Sequence, residues 1–304
     1  MQQPRRTSAR QIGPYTVITR LDPTGPGTMP VPEQRFVARS TDGDLTSLVS
    51  VPLDGADPGR FLVEAQAARC HFGPWFAPVT EHAEPGLPVW CARPYVPAVP
   101  LPTALAVHGG PFPDDTLRAL GFCLAETLAT AHAAGLTYAG VSPAAVLLAG
   151  DGPRLTCFGA VRTAAEDGQP RSGIPGLEPG SLPPEQAAGG RPRPPGDVYA
   201  LGAVLAYAAT GHTVPDRDEL PVMLRSLVSA CLARDPAARP RAMDVLQALS
   251  PASPTSPTSP VATVLDSGPE ANRMQLPGRV IAAIARQSAA ILAADVLPHS
   301  EADR

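Results

Sequence analysis

The chain has 304 residues, of which 44% are hydrophobic and 17% charged, and its formal net charge is -4. This length allows one large domain or two modest ones, and no uninterrupted apolar run approaches the roughly 18 residues of a membrane-spanning helix. The mild negative charge gives no basic field for nucleic acid. We therefore expect a soluble globular protein that binds no nucleic acid and has no transmembrane segment.

The cysteines favour a reducing compartment. Cys70, Cys91, Cys123, Cys157 and Cys231 are odd in number, widely spaced and without a CxxC pair, which argues against a zinc site or a disulfide framework. The first residues carry positive charge but no apolar stretch follows them, so they do not form a secretory signal. The sequence predicts a cytoplasmic protein.

Short strands are predicted first along the chain. Residues 12–53 alternate or run apolar in short pieces separated by Gly, Pro and Asp, a pattern typical of antiparallel strands joined by turns. The segment from 58 to about 70 follows Asp57 directly, so that an Asp-Pro pair precedes it, and it places apolar side chains at helical spacing, which predicts one helix. Two further strand-like pieces, FAPVTEH and LPVWCARPYV, complete a small β lobe over 12–95. Residues 1–11 are expected to form a flexible arm.

Helical patterns dominate residues 96–249. The segment DDTLRALGFCLAETLATAHAAG carries an apolar stripe and predicts a core helix. After it, AAVLLAGDGPRLTCFG is typical of a hairpin around a Gly-Asp-Gly turn, residues 160–196 are Gly/Pro-rich and irregular, and helical segments resume up to Leu249. A small antiparallel β lobe followed by a large, mainly α lobe predicts the α+β class.

The last quarter of the chain has a different composition. Residues 250–275 are rich in Ser, Thr and Pro, which predicts a linker without a packed core. Residues 276–304 predict an amphipathic helix and a tail. This helix must bury its apolar stripe on a partner, on the chain's own large lobe or on a membrane face.

The order of motifs resembles the protein kinase domain, in particular that of bacterial serine/threonine kinases. AHAAGLTYAGVSPAAVLL resembles AHxxGIxHRDLKPxNVLL, CFG resembles DFG, and PPEQ resembles APEQ. GDVYALGAVLAYAATG and LARDPAARP follow in the family's order. The resemblance covers residues 12 to about 249 and implies a two-lobed protein-kinase-like fold.

Phosphoryl transfer in this family uses a lysine, an aspartate base, and an Asn and an Asp that hold Mg²⁺. The resemblance places Ser50, Gly140, Ala145 and Cys157 at those four positions. The chain contains no lysine at all, and Asn272, its one asparagine, lies outside the domain. The glycine-rich loop is also altered, because Asp22 stands where a glycine allows phosphate to approach.

Other residues match positions that support the family's architecture. The resemblance implies that Glu64 stands where the lysine's partner would be, that Tyr138 stacks on Phe158 beside Gly159, and that Asp197 binds the catalytic-loop backbone. It also implies that Glu185 and Arg239 form a buried ion pair that ties the activation segment to the last helices.

These positions together predict a catalytically inactive kinase-like domain, a pseudokinase, that acts as a protein-interaction scaffold or allosteric regulator in signalling. On this interpretation the chain is not an enzyme, ATP and Mg²⁺ do not bind, and the partner is an unidentified protein such as an active kinase. Two alternatives stay open. One is a nucleotide sensor that binds through the hinge backbone near Ala92 to Tyr95, and the other is a nucleotide-dependent transferase with a reorganised site drawn from Asp22, Glu64 and Arg93.

Overall fold

The computed structural model describes residues 10–70, 72–250 and 274–294. Most of the predicted arm (1–9), most of the predicted linker (251–273, with Asn272) and the tail (295–304) lie outside the described residues.

The first lobe is an antiparallel sheet with one helix. The sheet order is β1-β2-β3-β4-β6-β5. Helix α1 begins after Asp57, whose side chain accepts a hydrogen bond from Arg60 N at 2.9 Å, and Pro58 occupies its first turn, as favourable N-terminal signals predict. The elements are β1 (Gln11–Ile12), β2 (Tyr15–Arg20), β3 (Glu33–Ser40), β4 (Thr46–Pro52), α1 (Pro58–Ala67), β5 (Glu81–His82) and β6 (Cys91–Pro94).

The second lobe is mainly helical and begins after the connecting residues 95–97. Its core helix α3 buries an apolar face that includes Leu117, Leu120, Leu124 and Leu128, and a three-stranded sheet of order β7-β8-β9 lies at the junction of the lobes. The elements are β7 (Ala98–Pro100), α2 (Leu101–His108), α3 (Asp114–Ala133), β8 (Val146–Ala149), β9 (Gly152–Leu155), α4 (Ala160–Ala164), α5 (Pro184–Ala187), α6 (Pro194–Thr210), α7 (Val222–Cys231) and α8 (Ala242–Leu249). The predicted α+β class and two-lobed kinase-like arrangement are confirmed.

The segment 160–196 is more regular than its composition predicts. It contains the short helices α4 and α5, and Arg171, whose side chain is fully buried, organises the stretch between them. The Arg171 guanidinium donates to the carbonyl oxygens of Ala165 at 3.1 Å and Gly190 at 2.8 Å. A single buried guanidinium thus adds side-chain hydrogen bonds to the backbone hydrogen bonds within the segment, such as that from Arg171 N to the Ala187 carbonyl oxygen at 2.9 Å.

The predicted C-terminal helix is α9 (Gly278–Leu292), and it packs on its own chain. Its buried residues Val280 and Ile284 belong to the main hydrophobic core, whereas Ile291 lies in the cluster beneath the β lobe. No helix in the described part of the chain is long and apolar enough to cross a membrane.

Candidate functional site

The site between the lobes is built on three neighbouring strands. Arg35 of β3 lies opposite Ser50 of β4, and Ser50 lies opposite Cys91 of β6. Because side chains alternate between faces along a strand, Glu33 shares the face of Arg35, and Arg93 that of Cys91. The sheet thus presents a row of polar side chains toward the second lobe. With Asp22 and Cys157, the cleft arginine cluster comprises Asp22, Glu33, Arg35, Ser50, Arg93 and Cys157.

Arg35 joins the two lobes across the cleft. Its guanidinium is wholly buried and pairs with both carboxylate oxygens of Asp22, with Arg35 Nε 2.8 Å from Asp22 Oδ2. It also donates to the Ala144 carbonyl oxygen at 2.8 Å and to Thr156 Oγ1 at 3.0 Å, both in the second lobe. Burial alone would lower the pKa of Arg35, but the charge and hydrogen bonds of Asp22 offset it and hold the pKa above its usual value.

Arg93 occupies the back of the cluster. Arg93 Nη1 lies 3.1 Å from Ser50 Oγ and 3.6 Å from Glu33 Oε1, and Ser50 Oγ in turn donates to Glu33 Oε1 at 2.9 Å. Ser50 therefore bonds a carboxylate and an arginine of its own sheet. Arg93 Nε is buried and has no hydrogen-bond partner among the residues that the structure describes, which leaves one donor of the cluster unsatisfied.

The backbone around Cys157 and Gly140 is closely fitted. Cys157 has a left-handed φ of 60° and Ala139 one of 54°, conformations that non-glycine residues adopt rarely. A Cβ atom on Gly140 would lie 1.8 Å from the Cys157 carbonyl oxygen. Burial and the charge of Glu33 raise the pKa of the Cys157 thiol to about 12, so it is neutral at pH 7. In this conformation position 140 accepts only glycine, and position 157 carries no charge.

Glu64 has a partner that the sequence did not reveal. Arg162, on α4, donates Nε to Glu64 Oε1 at 2.7 Å and Nη2 to Glu64 Oε2 at 2.6 Å. Arg162 also donates to the Thr137 carbonyl oxygen at 3.0 Å and lies over the ring of Phe158. This bidentate pair ties α1 to the segment after CFG.

An aromatic cluster lies beneath the site. The rings of Tyr138 and Phe158 pack edge to face at 5.2 Å, and Phe72 stacks on Phe158 at 5.5 Å. Tyr138 is fully buried and its hydroxyl donates to the Thr156 carbonyl oxygen at 2.8 Å. Gly159 has a φ of 75°, and a Cβ there would lie 2.0 Å from Glu64 Oε2, so glycine allows the ion pair to approach.

Asp197 holds the turn that carries Tyr138. Its carboxylate accepts from the backbone N–H groups of Tyr138 and Ala139, each at 2.7 Å, and lies 2.9 Å from His132 Nε2. Asp197 is 2% exposed. A buried carboxylate with three partners fixes this backbone strongly.

Glu185 and Arg239 form a bidentate ion pair at the base of the second lobe. The distances are 2.7 Å from Arg239 Nη1 to Glu185 Oε1 and 2.9 Å from Arg239 Nη2 to Glu185 Oε2. Arg239 also lies over the ring of Tyr199 and donates to the carbonyl oxygen of Pro195 at 3.1 Å. The pair connects α5 with the segment before α8.

Sequence reasoning missed Glu33, Arg35 and Arg162. The sequence contained a signal for Glu33 and Arg35, because the alternation in EQRFV places both on the strand face that also carries the buried Val37. Charged residues on an inward face imply buried partners. Arg162 follows CFG in a segment that gives no periodicity to interpret, so only the folded chain shows its contact with Glu64.

The two lobes, the polar cleft between them and the elements beneath it define a protein kinase-like fold. The kinase domain of Mycobacterium tuberculosis PknI, in the form of a point mutant, superposes with a TM-score of 0.60 over 80% of this chain and 97% of that chain. The sequence identity is 21%, so this likeness supports the fold.

The sequence itself is similar to bacterial serine/threonine kinases. The probable serine/threonine-protein kinase PkwA of Thermomonospora curvata is 34% identical over 79% of this chain, and the serine/threonine-protein kinase AfsK of Streptomyces coelicolor is 32% identical over 80%. No family model matches the chain. The chain thus contains a bacterial serine/threonine kinase-like domain of the protein kinase superfamily. It spans about a third of the length of these relatives, 34% and 32%.

These relatives correct three expectations. A catalytically inactive scaffold was predicted from Ser50, Gly140, Ala145 and Cys157, but the relatives are named as protein kinases and point to an enzyme, so the predictions of a pseudokinase and of a non-enzyme are wrong. The expectation that neither ATP nor Mg²⁺ binds is wrong on the same finding, because protein kinases use both.

The polar end of the cleft is tightly filled in the described conformation. The cavity bordered by Glu33, Glu64, Arg93 and Cys157 has a volume of about 20 Å³, which is room for about one water molecule. No group of three or more His, Cys, Asp and Glu side chains within the described ranges has the arrangement of a metal site. The unsatisfied Arg93 Nε does suit an anionic oxygen.

Proposed function

We propose that this chain works as a nucleotide-dependent transferase of the serine/threonine kinase type, with a reorganised site in which arginine replaces lysine as the phosphate-binding residue. Similarity to named kinases over 79–80% of the chain supports the reaction class. The single observation that carries the arginine assignment is Arg93, a buried guanidinium with one free N–H at the back of the cleft, among the residues that the structure describes.

Arginine is chemically suited to this role. A guanidinium presents planar N–H donors that match two phosphate oxygens, and it stays charged at every physiological pH. Arg35 and Arg93 are both held in the cleft, where they pair with Asp22 and Glu33. A phosphate group would take the place of these carboxylates, so binding requires the cleft to open and the two ion pairs to exchange partners.

The test is binding and transfer measured separately on the full chain. Binding of a fluorescent ATP analogue is titrated with Mg²⁺, with Mn²⁺ and with EDTA, and transfer from γ-labelled ATP to protein hydroxyl groups is followed by label incorporation. We expect Arg93→Gln to weaken nucleotide binding about tenfold or more, and Arg93→Lys to weaken it less because the charge remains. The matched control is Arg191→Gln, since the Arg191 side chain is 80% exposed in the second lobe.

The outcomes separate the parts of the proposal. Label transfer that falls in Arg93→Gln and persists in Arg191→Gln supports the whole assignment. Binding without any transfer overturns the transferase, and equal binding by the wild type and both variants overturns the phosphate role of Arg93.

A further inference from the structure

Helix α9 lies across both lobes. Its first half packs on the second lobe, where Val280 and Ile284 join the main core. At the N-terminal side, the Gln275 carbonyl oxygen accepts from Thr116 Oγ1 at 2.9 Å, and Arg279 Nη1 donates to the His108 carbonyl oxygen at 3.3 Å. These contacts fix the start of the helix to α2 and α3.

The other end of α9 reaches the β lobe. Arg39, at the end of β3, donates to the carbonyl oxygens of Ile291 at 3.2 Å and Ala294 at 3.3 Å. The last carbonyls of a helix lack partners within it and attract a positive charge. Arg39 therefore caps the end of α9 with a residue from the opposite lobe.

Ile291 belongs to an apolar cluster beside the cleft. It is 3% exposed and clusters with Leu21 of the loop after β2, Leu48 of β4 and Leu147 of β8. Leu21 precedes Asp22, and Leu48 lies two residues before Ser50, so this apolar cluster adjoins the cleft arginine cluster. The end of α9 thus lies beside the cleft, next to β7 and the residues at the end of β2.

The boundary between α9 and the elements beside it is only partly packed. A groove of about 500 Å³ that is open to solvent runs along one side of the helix, lined by residues of α9, β2, β7 and α2. Two polar atoms in its walls, Thr103 Oγ1 and Gln287 Oε1, are buried without hydrogen-bond partners among the described residues. Buried polar atoms without hydrogen-bond partners add little to the attachment of the helix. The contacts that attach α9 to the β lobe are therefore those of Ile291 and Arg39.

We propose that α9 is an intramolecular strap, which holds the β lobe against the second lobe and whose release at Ile291 and Arg39 opens the cleft. The two ends of α9 are attached with unequal strength. The start, with Val280 and Ile284, stays packed in the main core, while the end, with Ile291, detaches from the β lobe. The strap is a property of lobe movement and does not depend on the transferase activity proposed above.

Two pairs of buried cysteines provide an internal readout. Cys91 and Cys157 lie in the cleft, whereas Cys123 and Cys231 lie in the helical lobe. A thiol buried in a closed cleft reacts only when the cleft opens. Labelling of the full chain with iodoacetamide, followed site by site by mass spectrometry, therefore distinguishes opening of the cleft from unfolding of the helical lobe.

The test compares two neighbouring positions of α9. Ile291→Glu places a charge in the buried cluster, and Leu292→Glu places the same charge on a side chain that is 78% exposed. We expect Ile291→Glu to speed labelling of Cys91 and Cys157 about tenfold or more and to leave Cys123 and Cys231 unchanged. Leu292→Glu should match the wild type.

Arg39→Gln is a milder second variant, and it tests the strap even if Ile291→Glu does not fold. It removes the two hydrogen bonds to the end of α9, so we expect a smaller increase at the same two cysteines. The strap is overturned if neither variant alters the ratio of cleft labelling to helical-lobe labelling, or if Leu292→Glu alters it as much as Ile291→Glu.

Discussion

The cleft and the base of the second lobe are held by the same kind of bond in different surroundings. Arg35 and Asp22 close the cleft, and Arg239 and Glu185 tie α5 to the segment before α8; both pairs are bidentate. In the cleft the two side chains are 0% and 5% exposed, whereas Glu185 at the base is 31% exposed. The family resemblance implies the pair at the base, whereas in the cleft it marks Asp22 as an altered position and does not identify Arg35 as its partner.

This difference teaches where a sequence resemblance is informative. The order of the motifs predicts the architecture of the helical lobe. An ion pair such as that of Glu185 with Arg239 stabilises this lobe independently of the residues in the cleft. The cleft is different, because the roles of Arg35 and Arg93 follow from the carboxylates that they contact and not from a position in a motif. The two regions should therefore respond differently when one partner is removed.

The largest expected effect is at Arg35. Arg35→Met removes the charge but keeps much of the side-chain volume, and it leaves the Asp22 carboxylate buried without its partner. We expect a loss of about 3–5 kcal/mol in the free energy of unfolding at pH 7, measured by urea denaturation. The double variant Arg35→Met, Asp22→Asn should recover most of that loss. A loss below about 1 kcal/mol for the single variant would show that Asp22 finds water or another partner.

A smaller effect is expected at the base of the second lobe. Glu185→Ala leaves Arg239 with its hydrogen bonds to the carbonyl oxygens of Pro195 at 3.1 Å, Ala233 at 2.8 Å and Arg234 at 3.3 Å. Because these partners remain and Glu185 is partly solvated, we expect a loss of about 1–2 kcal/mol in the same urea experiment. A loss equal to that of Arg35→Met would remove the contrast between the two regions.

The fold could be predicted almost entirely from the sequence, and the cleft only in part. Alternating strands, the apolar stripe of α3 and the Gly-Asp-Gly hairpin each have a local signal, and together they predict two lobes. The cluster around Arg35 depends on contacts between residues far apart in the chain, such as Arg35 with Ala144, which are 109 positions apart. No local pattern encodes such a contact.

The same limit explains the functional prediction that proved wrong. Ser50, Gly140, Ala145 and Cys157 each differ from the residue that active kinases carry at the matching position, and each difference predicted a loss. Matching single positions does not show which side chains meet in the folded chain, such as Arg93 and Ser50 from neighbouring strands. It also cannot weigh the similarity over 79–80% of the chain, which points to enzymes.

The thiols test the comparison through pH, with an effect that is smallest at pH 7 because it develops only at higher pH. Burial raises the pKa of Cys157 in the cleft, where Glu33 adds to the shift, and it raises the pKa of Cys231 in the helical lobe; both reach about 12. The folded state thus keeps a proton that the unfolded thiol gives up above its ordinary pKa, which is about 9. Stability from each thiol is fully present below about pH 9 and is lost as the pH rises toward about 12.

Each thiol should therefore contribute a slope of about 1.4 kcal/mol per pH unit at most between about pH 9 and 12. Cys157→Ala and Cys231→Ala should each remove one such contribution from the pH dependence of the unfolding free energy, measured by urea denaturation at several pH values. The comparison uses slopes, so that any cavity left by the alanine cancels. If only Cys231→Ala flattens the curve, the cleft admits water to Cys157 in solution, and the cleft arginine cluster is more open than its contacts indicate.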